Sequence, residues 1–260
     1  MRHSTVYTLI FATIVCVICA VLVSGSAVSL SERQDANRLV DKYKNVLYAA
    51  GLASPTEQIS ADEVRQRFSK VRAAAVELSS GEETDAVDLE SYDAERAAAD
   101  PENGFDAPPN NLAMKRMAKY QVVYQVIGDD GEPSMYVLPI KGYGLWSTLY
   151  GFIALDKDTT TIRGITYYDH KETAGLGGEV DNPGWKGLWP GRKALDENWE
   201  PAIDVIKGQA GSPEADPHRV DGLSGATLTS RGVANMLSFW LGEHGFGPYL
   251  ANIRAANSQS

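Results

Sequence analysis

Thr148-Leu-Tyr-Gly-Phe-Ile-Ala-Leu155, Asp156-Lys-Asp-Thr159 and Thr161-Ile-Arg-Gly-Ile-Thr-Tyr-Tyr168 read as strand, polar turn and strand. β-Branched and aromatic residues crowd both flanks, and a short turn between them favours antiparallel pairing. The preceding stretch repeats the pattern. Tyr120-Gln-Val-Val-Tyr-Gln-Val-Ile127, the turn Gly128-Asp-Asp-Gly-Glu-Pro133 and Met135-Tyr-Val-Leu-Pro-Ile140 make a second hairpin. Two successive hairpins with helical patterns on either side predict an α+β fold, a mixed arrangement of helices packed on an antiparallel sheet.

Outward from the hairpins, the spacing changes to that of helices. Leu39, Val40, Tyr43, Val46 and Leu47 predict a helix over Gln34 to Ala49, stopped at Gly51. Val64, Phe68, Val71, Ala75 and Leu78 share one face of a second, predicted from Ala61 to Leu78. The acidic, alanine-rich stretch from Glu82 to Asp106, ending near Pro108-Pro109, reads as a solvated, partly ordered excursion. Beyond Asp169 lies a glycine-rich irregular region, then a strand at Ala202–Ile206. The last helix is predicted from Ser230 to Glu243, with Ser230 or Thr229 as its cap and Gly245 past its end. Trp185, Trp189 and Trp240 are assigned to the core.

At the other end, Ser4 to Ser31 holds no charged residue, and Val6 to Val23 is almost wholly apolar. About 20 such residues cross a hydrocarbon core, which predicts an uncleaved anchor; a signal peptide cut near Ser24-Gly-Ser-Ala27 is the alternative. Arg2 before the span and an acidic bulk after it put the N-terminus in the cytoplasm and the domain outside. The uncharged span offers no ion path. Both cysteines, Cys16 and Cys19, lie within it and read as small apolar residues, so the rest of the chain has no thiolate for a cluster or zinc. A net charge of −10 argues against nucleic acid as a partner.

The segment Asp221-Gly-Leu-Ser-Gly-Ala-Thr-Leu-Thr-Ser230 carries the chemistry. Gly225 and Ala226 admit a bulky group, and the segment runs into the N-terminus of the last helix, where free amides favour an anion. A polar loop with a hydroxyl cap fits the same residues. The four histidines, at 3, 170, 218 and 244, show no metal-ligand spacing, so no metal site is expected. A Ser224 hydrolase assisted by His170 or His218 lacks Gly-x-Ser-x-Gly. Gly175-Leu-Gly-Gly178 does not match the dinucleotide fingerprint, so NADH is not expected to bind this chain.

Asp221-x-x-Ser224-Gly225-Ala226-Thr227-x-Thr229 resembles the motif recognised by periplasmic flavin transferases. His170 to Pro183 and Gly142-Tyr-Gly-Leu-Trp-Ser147 resemble the glycine-rich loops of FMN-binding domains in the C-subunit family of Na⁺-translocating NADH:quinone oxidoreductases. The similarity extends over Gly142 to Tyr249. It implies FMN esterified through its phosphate to Thr227, which is a tether and not a catalytic residue. Ser224, Gly225, Ala226, Leu228 and Thr229 would adjoin the attachment point. Leu145, Trp146 and Leu176 would be apolar neighbours of the isoalloxazine ring, and Ser147, Thr148, Glu172 and Thr173 polar ones, with Gly175 and Gly177 in the flanking loop. A separate transferase using FAD and Mg²⁺ would read Asp221 and Ser224 to Thr227. Ala174 departs from the family, which usually has proline there, and this should loosen the loop.

The resemblance also implies a domain plan: residues 1–31 as cytoplasmic N-terminus and transmembrane anchor, 32–110 as a helical and acidic periplasmic segment, and 111–260 as the FMN-binding domain. The implied function is electron relay in a sodium-pumping NADH:ubiquinone reductase of the bacterial inner membrane. Partners would be the other subunits, the flavin transferase and membrane lipid, with sodium translocation left to other subunits. The G subunit of ferredoxin-dependent Rnf complexes shares the motif and anchor, although chain length and Gly144-Leu-Trp-Ser-Thr-Leu-Tyr-Gly151 favour the quinone reductase. A non-redox periplasmic assembly module is the remaining alternative.

Overall fold

The computed structural model describes residues 4–258. Arg2 lies outside them, and for Arg33 only the backbone is described. A helix, α1, spans Thr5–Ala49, and the chain divides into two compact units, the second beginning at Tyr43. Within the first unit, Thr5–Leu30 is long and apolar enough to cross a bilayer, and its side chains, Cys16 and Cys19 included, are exposed.

The second unit continues with α2 (Ala61–Phe68), β1 (Val71–Glu77), β2 (Glu83–Thr84), α3 (Ala94–Ala99), β3 (Gly104–Asp106) and β4 (Arg116–Ala118). Next come the predicted hairpins, as β5 (Tyr120–Ile127), β6 (Pro133–Tyr143), β7 (Thr148–Asp156) and β8 (Ile162–Asp169). A 3₁₀ turn over Gly177–Asp181 and α4 (Pro183–Lys186) precede β9 (Asp204–Ile206), β10 (Arg219–Asp221), α5 (Thr227–Leu241) and α6 (Gly247–Asn257). The main sheet is antiparallel, in the order β2-β1-β5-β6-β7-β8. Both hairpins and the α+β class are as expected.

The central strands are buried on both faces, which explains their nearly unbroken apolar runs. On one face α5 contributes Val233, Met236, Leu237, Trp240 and Leu241 to a cluster with Leu138, Ile140, Leu149 and Ile153. On the other, Tyr43 stacks on Phe68 with centroids 3.6 Å apart, and Phe68, Tyr124 and Phe152 follow in edge-to-face contacts at 5.9 Å. Trp185, Trp189 and Trp240 are all buried, as expected. The Trp240 indole donates to Lys141 O at 2.7 Å, fixing α5 against the end of β6. Gly232 permits that approach, since a Cβ there would lie 2.4 Å from Tyr143 O.

Several expectations are corrected. The helix from Ala61 stops at Phe68, and Val71–Glu77 is a strand paired along its length with β5. Ala74, Val76 and Leu78 enter the core at a period of two, which competed with the helical spacing of Val71, Ala75 and Leu78. The acidic stretch is docked: Asp93 caps α3, Arg116 donates to Ala98 O and Asp100 O, and Tyr92 donates to Tyr120 O. Beyond Gly245 the chain forms α6, whose Tyr249 hydroxyl accepts from buried Gln125 at 2.7 Å. β10 was also unforeseen, and it pairs in parallel with β9.

Candidate functional site

α5, the helix expected from Ser230, begins three residues earlier than its periodicity indicates, at Thr227 itself. Its N-cap is Ala226, which has no side-chain acceptor, so the expected cap by Thr229 or Ser230 is absent. Both hydroxyls serve other contacts. Ser230 Oγ accepts from Leu223 N at 3.0 Å, and Thr229 Oγ1 donates to Glu172 Oε2 at 2.7 Å. Thr227 and Ser224 are exposed, and Gly225 sits at φ +70°, the left-handed conformation that favours glycine. The chain therefore turns sharply into α5, with the first residue's hydroxyl exposed and the terminal amides free of a side-chain cap.

Glu172 ties three segments together. Besides Thr229, its carboxylate accepts from the amides of Leu145 at 3.2 Å, Trp146 at 2.9 Å and Ser147 at 3.1 Å, while being only 8% exposed. Burial alone would raise its pKa. The Thr229 hydroxyl and the three loop amides outweigh that, holding the carboxyl below the ordinary carboxylate range. Ser147 Oγ reinforces the junction by accepting from Lys171 N at 2.7 Å, and Gly177 lies against Glu172 and Thr229. In the next turn Thr173 O accepts from Leu176 N and Gly178 N, with Gly175 at φ +75° and exposed Ala174 between.

Most residues singled out from the sequence thus converge. Leu145, Trp146 and Ser147 meet Glu172, and Leu176 approaches so near that a Cβ on Gly225 would be 2.9 Å from its Cδ2. Leu145, Trp146, Leu176 and Leu228 are exposed large apolar side chains, Trp146 at 65%. Thr148 instead lines a separate hollow with Glu95, Met114 and Tyr150. Asp221 is held locally, its carboxylate accepting from Ala210 N and its carbonyl from the Trp185 indole, both at 2.8 Å. His170 bonds Asp181 and the Glu172 amide, and His218 bonds Lys193 O.

The sequence reading missed a cleft of about 780 Å³ on which Thr227, Ser224 and Gly225 open together with Lys207, Gln209, Arg231 and Asn235. Its only sequence signal was Arg231, four residues after Thr227 and so on the same helix face.

These residues suit a flavin chemically. An exposed hydroxyl, uncapped helix amides and a cleft with two cations match an anionic linker, and exposed leucines with a tryptophan match a planar apolar ring. The FMN-binding domain family matches residues 144–242. Over 95% of its length the chain is 46% identical to the C subunit of the Na⁺-translocating NADH-quinone reductase of Yersinia pestis, covering 92% of that protein. The corresponding protein of Pseudomonas aeruginosa is also 46% identical, over 97% of both chains. Among solved structures, Shewanella oneidensis NqrC aligns with a TM-score of 0.76 at 33% identity, over 86% of this chain and 99% of that one. The C subunit from Parabacteroides distasonis aligns with a TM-score of 0.66 at 27% identity, over 85% and 96%.

Proposed function

Because the chain belongs to the C-subunit family of Na⁺-translocating NADH-quinone reductases, we propose that it carries FMN covalently on Thr227 and relays electrons within a sodium-pumping NADH:ubiquinone reductase. The observation that carries the reading is the exposed Thr227 hydroxyl opening α5, inside the region matched by the FMN-binding family. Bound FMN supplies reversible uptake and release of electrons.

The chain's own residues bind, orient and shield. Thr227 Oγ would hold FMN as a phosphate ester formed from FAD, with AMP as the leaving group and the hydroxyl proton passing to the transferase. Uncapped amides at the start of α5 favour the resulting anion. Leu145, Trp146 and Leu176, with Leu228, give the ring apolar neighbours. Glu172 keeps the two loops and Thr229 in fixed relation, while Ser147, Thr173, Gly175 and Gly177 shape those loops. Thr148, which lines the separate hollow, stands apart from that polar set. Attachment is the work of a separate flavin transferase that uses FAD and Mg²⁺ and reads Asp221 with Ser224 to Thr227, since no cluster of three or more metal-ligating side chains occurs among the described residues.

In this reading residues 1–31 are the cytoplasmic N-terminus and anchor, 32–110 a periplasmic segment and 111–260 the FMN-binding domain. The domain lies in the periplasm, among the complex's other subunits, with lipid around Thr5–Leu30. Coexpression with the transferase tests the attachment. Thr227→Ala should lose all flavin fluorescence that survives denaturing electrophoresis, while Thr229→Ala keeps much of it. Persistent fluorescence in Thr227→Ala would overturn the assignment.

A further inference from the structure

The cleft beside Thr227 contains two cations that no protein group engages. Lys207, after β9, and Arg231, on α5, are both exposed, and neither side chain has an ion pair or hydrogen bond among the described residues. The two carboxylates on the same cleft are already used: Asp221 accepts from Ala210 N, and Asp204 from Val205 N at 2.8 Å. Here two unpaired cations share a hollow with an exposed hydroxyl in a chain of net charge −10. Both would attract an anion that the acidic remainder repels.

Arg231 follows Thr227 by four positions on one helix, so the two side chains are neighbours. Long side chains on a helix lean toward its N-terminus, a direction that favours a guanidinium on the Thr227 side of the cleft that both residues line. Lys207 reaches the same space from the strand turn. Arg and Lys both suit a phosphate oxygen, Arg through its planar fork and Lys as a point charge.

We propose that Arg231 and Lys207 are positioning residues that clamp the phosphodiester joining FMN to Thr227, so that the linker lies in this cleft and the ring stays against the neighbouring apolar side chains. The proposal rests on the attachment to Thr227 argued above. A phosphodiester keeps one negative charge, and the two cations offset its repulsion by Asp204 and Asp221. Removing them frees the linker without altering the ester bond.

The test uses the full chain, flavinylated by coexpression with the transferase and purified in detergent, in the forms R231Q, K207Q, the double variant and R231K. Intact mass first establishes one FMN per chain; its absence from the parent chain defeats the attachment reading itself. Quenching of flavin fluorescence by neutral acrylamide then reports how freely the ring leaves its site. The quenching constant should rise about two- to fivefold in the double variant, as expected when exposed ion pairs are lost. In the parent chain it should rise with NaCl, and in the double variant it should be insensitive to salt. R231K should restore most of the protection, which a purely structural role would not predict. Equal quenching and equal salt dependence in parent and double variant would overturn the clamp while leaving the attachment standing. A loss of flavinylation yield with unchanged quenching would also overturn it, assigning the cations to transferase docking.

Discussion

Two regions meet at the start of α5, and they treat charge in opposite ways. In the glycine-rich loops, buried Glu172 has four donors and holds Leu145, Trp146, Ser147 and Thr229 together. In the cleft, exposed Lys207 and Arg231 have no protein partner among the described residues. A buried charge with its hydrogen bonds made is tied to the fold, because leaving its donors unsatisfied is costly. A cation without a partner contributes little to folding and is available to a ligand. Glu172 is thus tied into the fold, whereas Lys207 and Arg231 are left open to a ligand.

Breaking the first region should have the largest effect on stability. Glu172→Ala leaves three amides and a hydroxyl without their acceptor, and urea unfolding of the full chain in detergent should show a loss of about 3 kcal/mol. Glu172→Gln retains one acceptor oxygen but turns an amide group toward donors, and should cost about 1–2 kcal/mol. Gly225→Ala should also cost about 1–2 kcal/mol by the same assay, from its left-handed backbone.

The first region also predicts a pH dependence. Glu172 has a folded pKa below its ordinary value of 4.5, so its ionised form stabilises the fold above that pH. The contribution declines as pH falls below 4.5 and through the lower folded value. Unfolding stability between pH 5 and pH 3 should consequently fall less steeply in Glu172→Gln than in the parent chain; parallel slopes would show that Glu172 does not carry the effect. The smallest expected change completes the contrast: R231Q and K207Q should each leave stability within about 0.5 kcal/mol.

The hairpins were legible because strand propensity, alternation and turn residues agreed over residues 120–168, where the sheet's local pairings are also sequential. β1 was not, since its alanines fit a helix and a buried strand equally well and its partner β5 lies beyond an intervening acidic stretch. The start of α5 was misplaced because Thr229 and Ser230 look like caps by residue type. Their hydroxyls are instead engaged by Glu172, 57 positions earlier in the chain, and by the Leu223 amide. Thr227, the proposed attachment point, could be singled out by its local motif, which needs only adjacent residues. The Glu172 junction and the Lys207–Arg231 cleft depend on segments brought together by the fold, and the one local hint of the cleft is Arg231, four residues after Thr227.

The attachment of FMN to Thr227 is tested most directly by tandem mass spectrometry of the tryptic peptide Val220–Arg231 from the full chain coexpressed with a flavin transferase. The account predicts an added FMN less one water, with fragments locating it on Thr227. FMN on Ser224 or Thr229, or an unmodified peptide from a protein that is yellow, would contradict it.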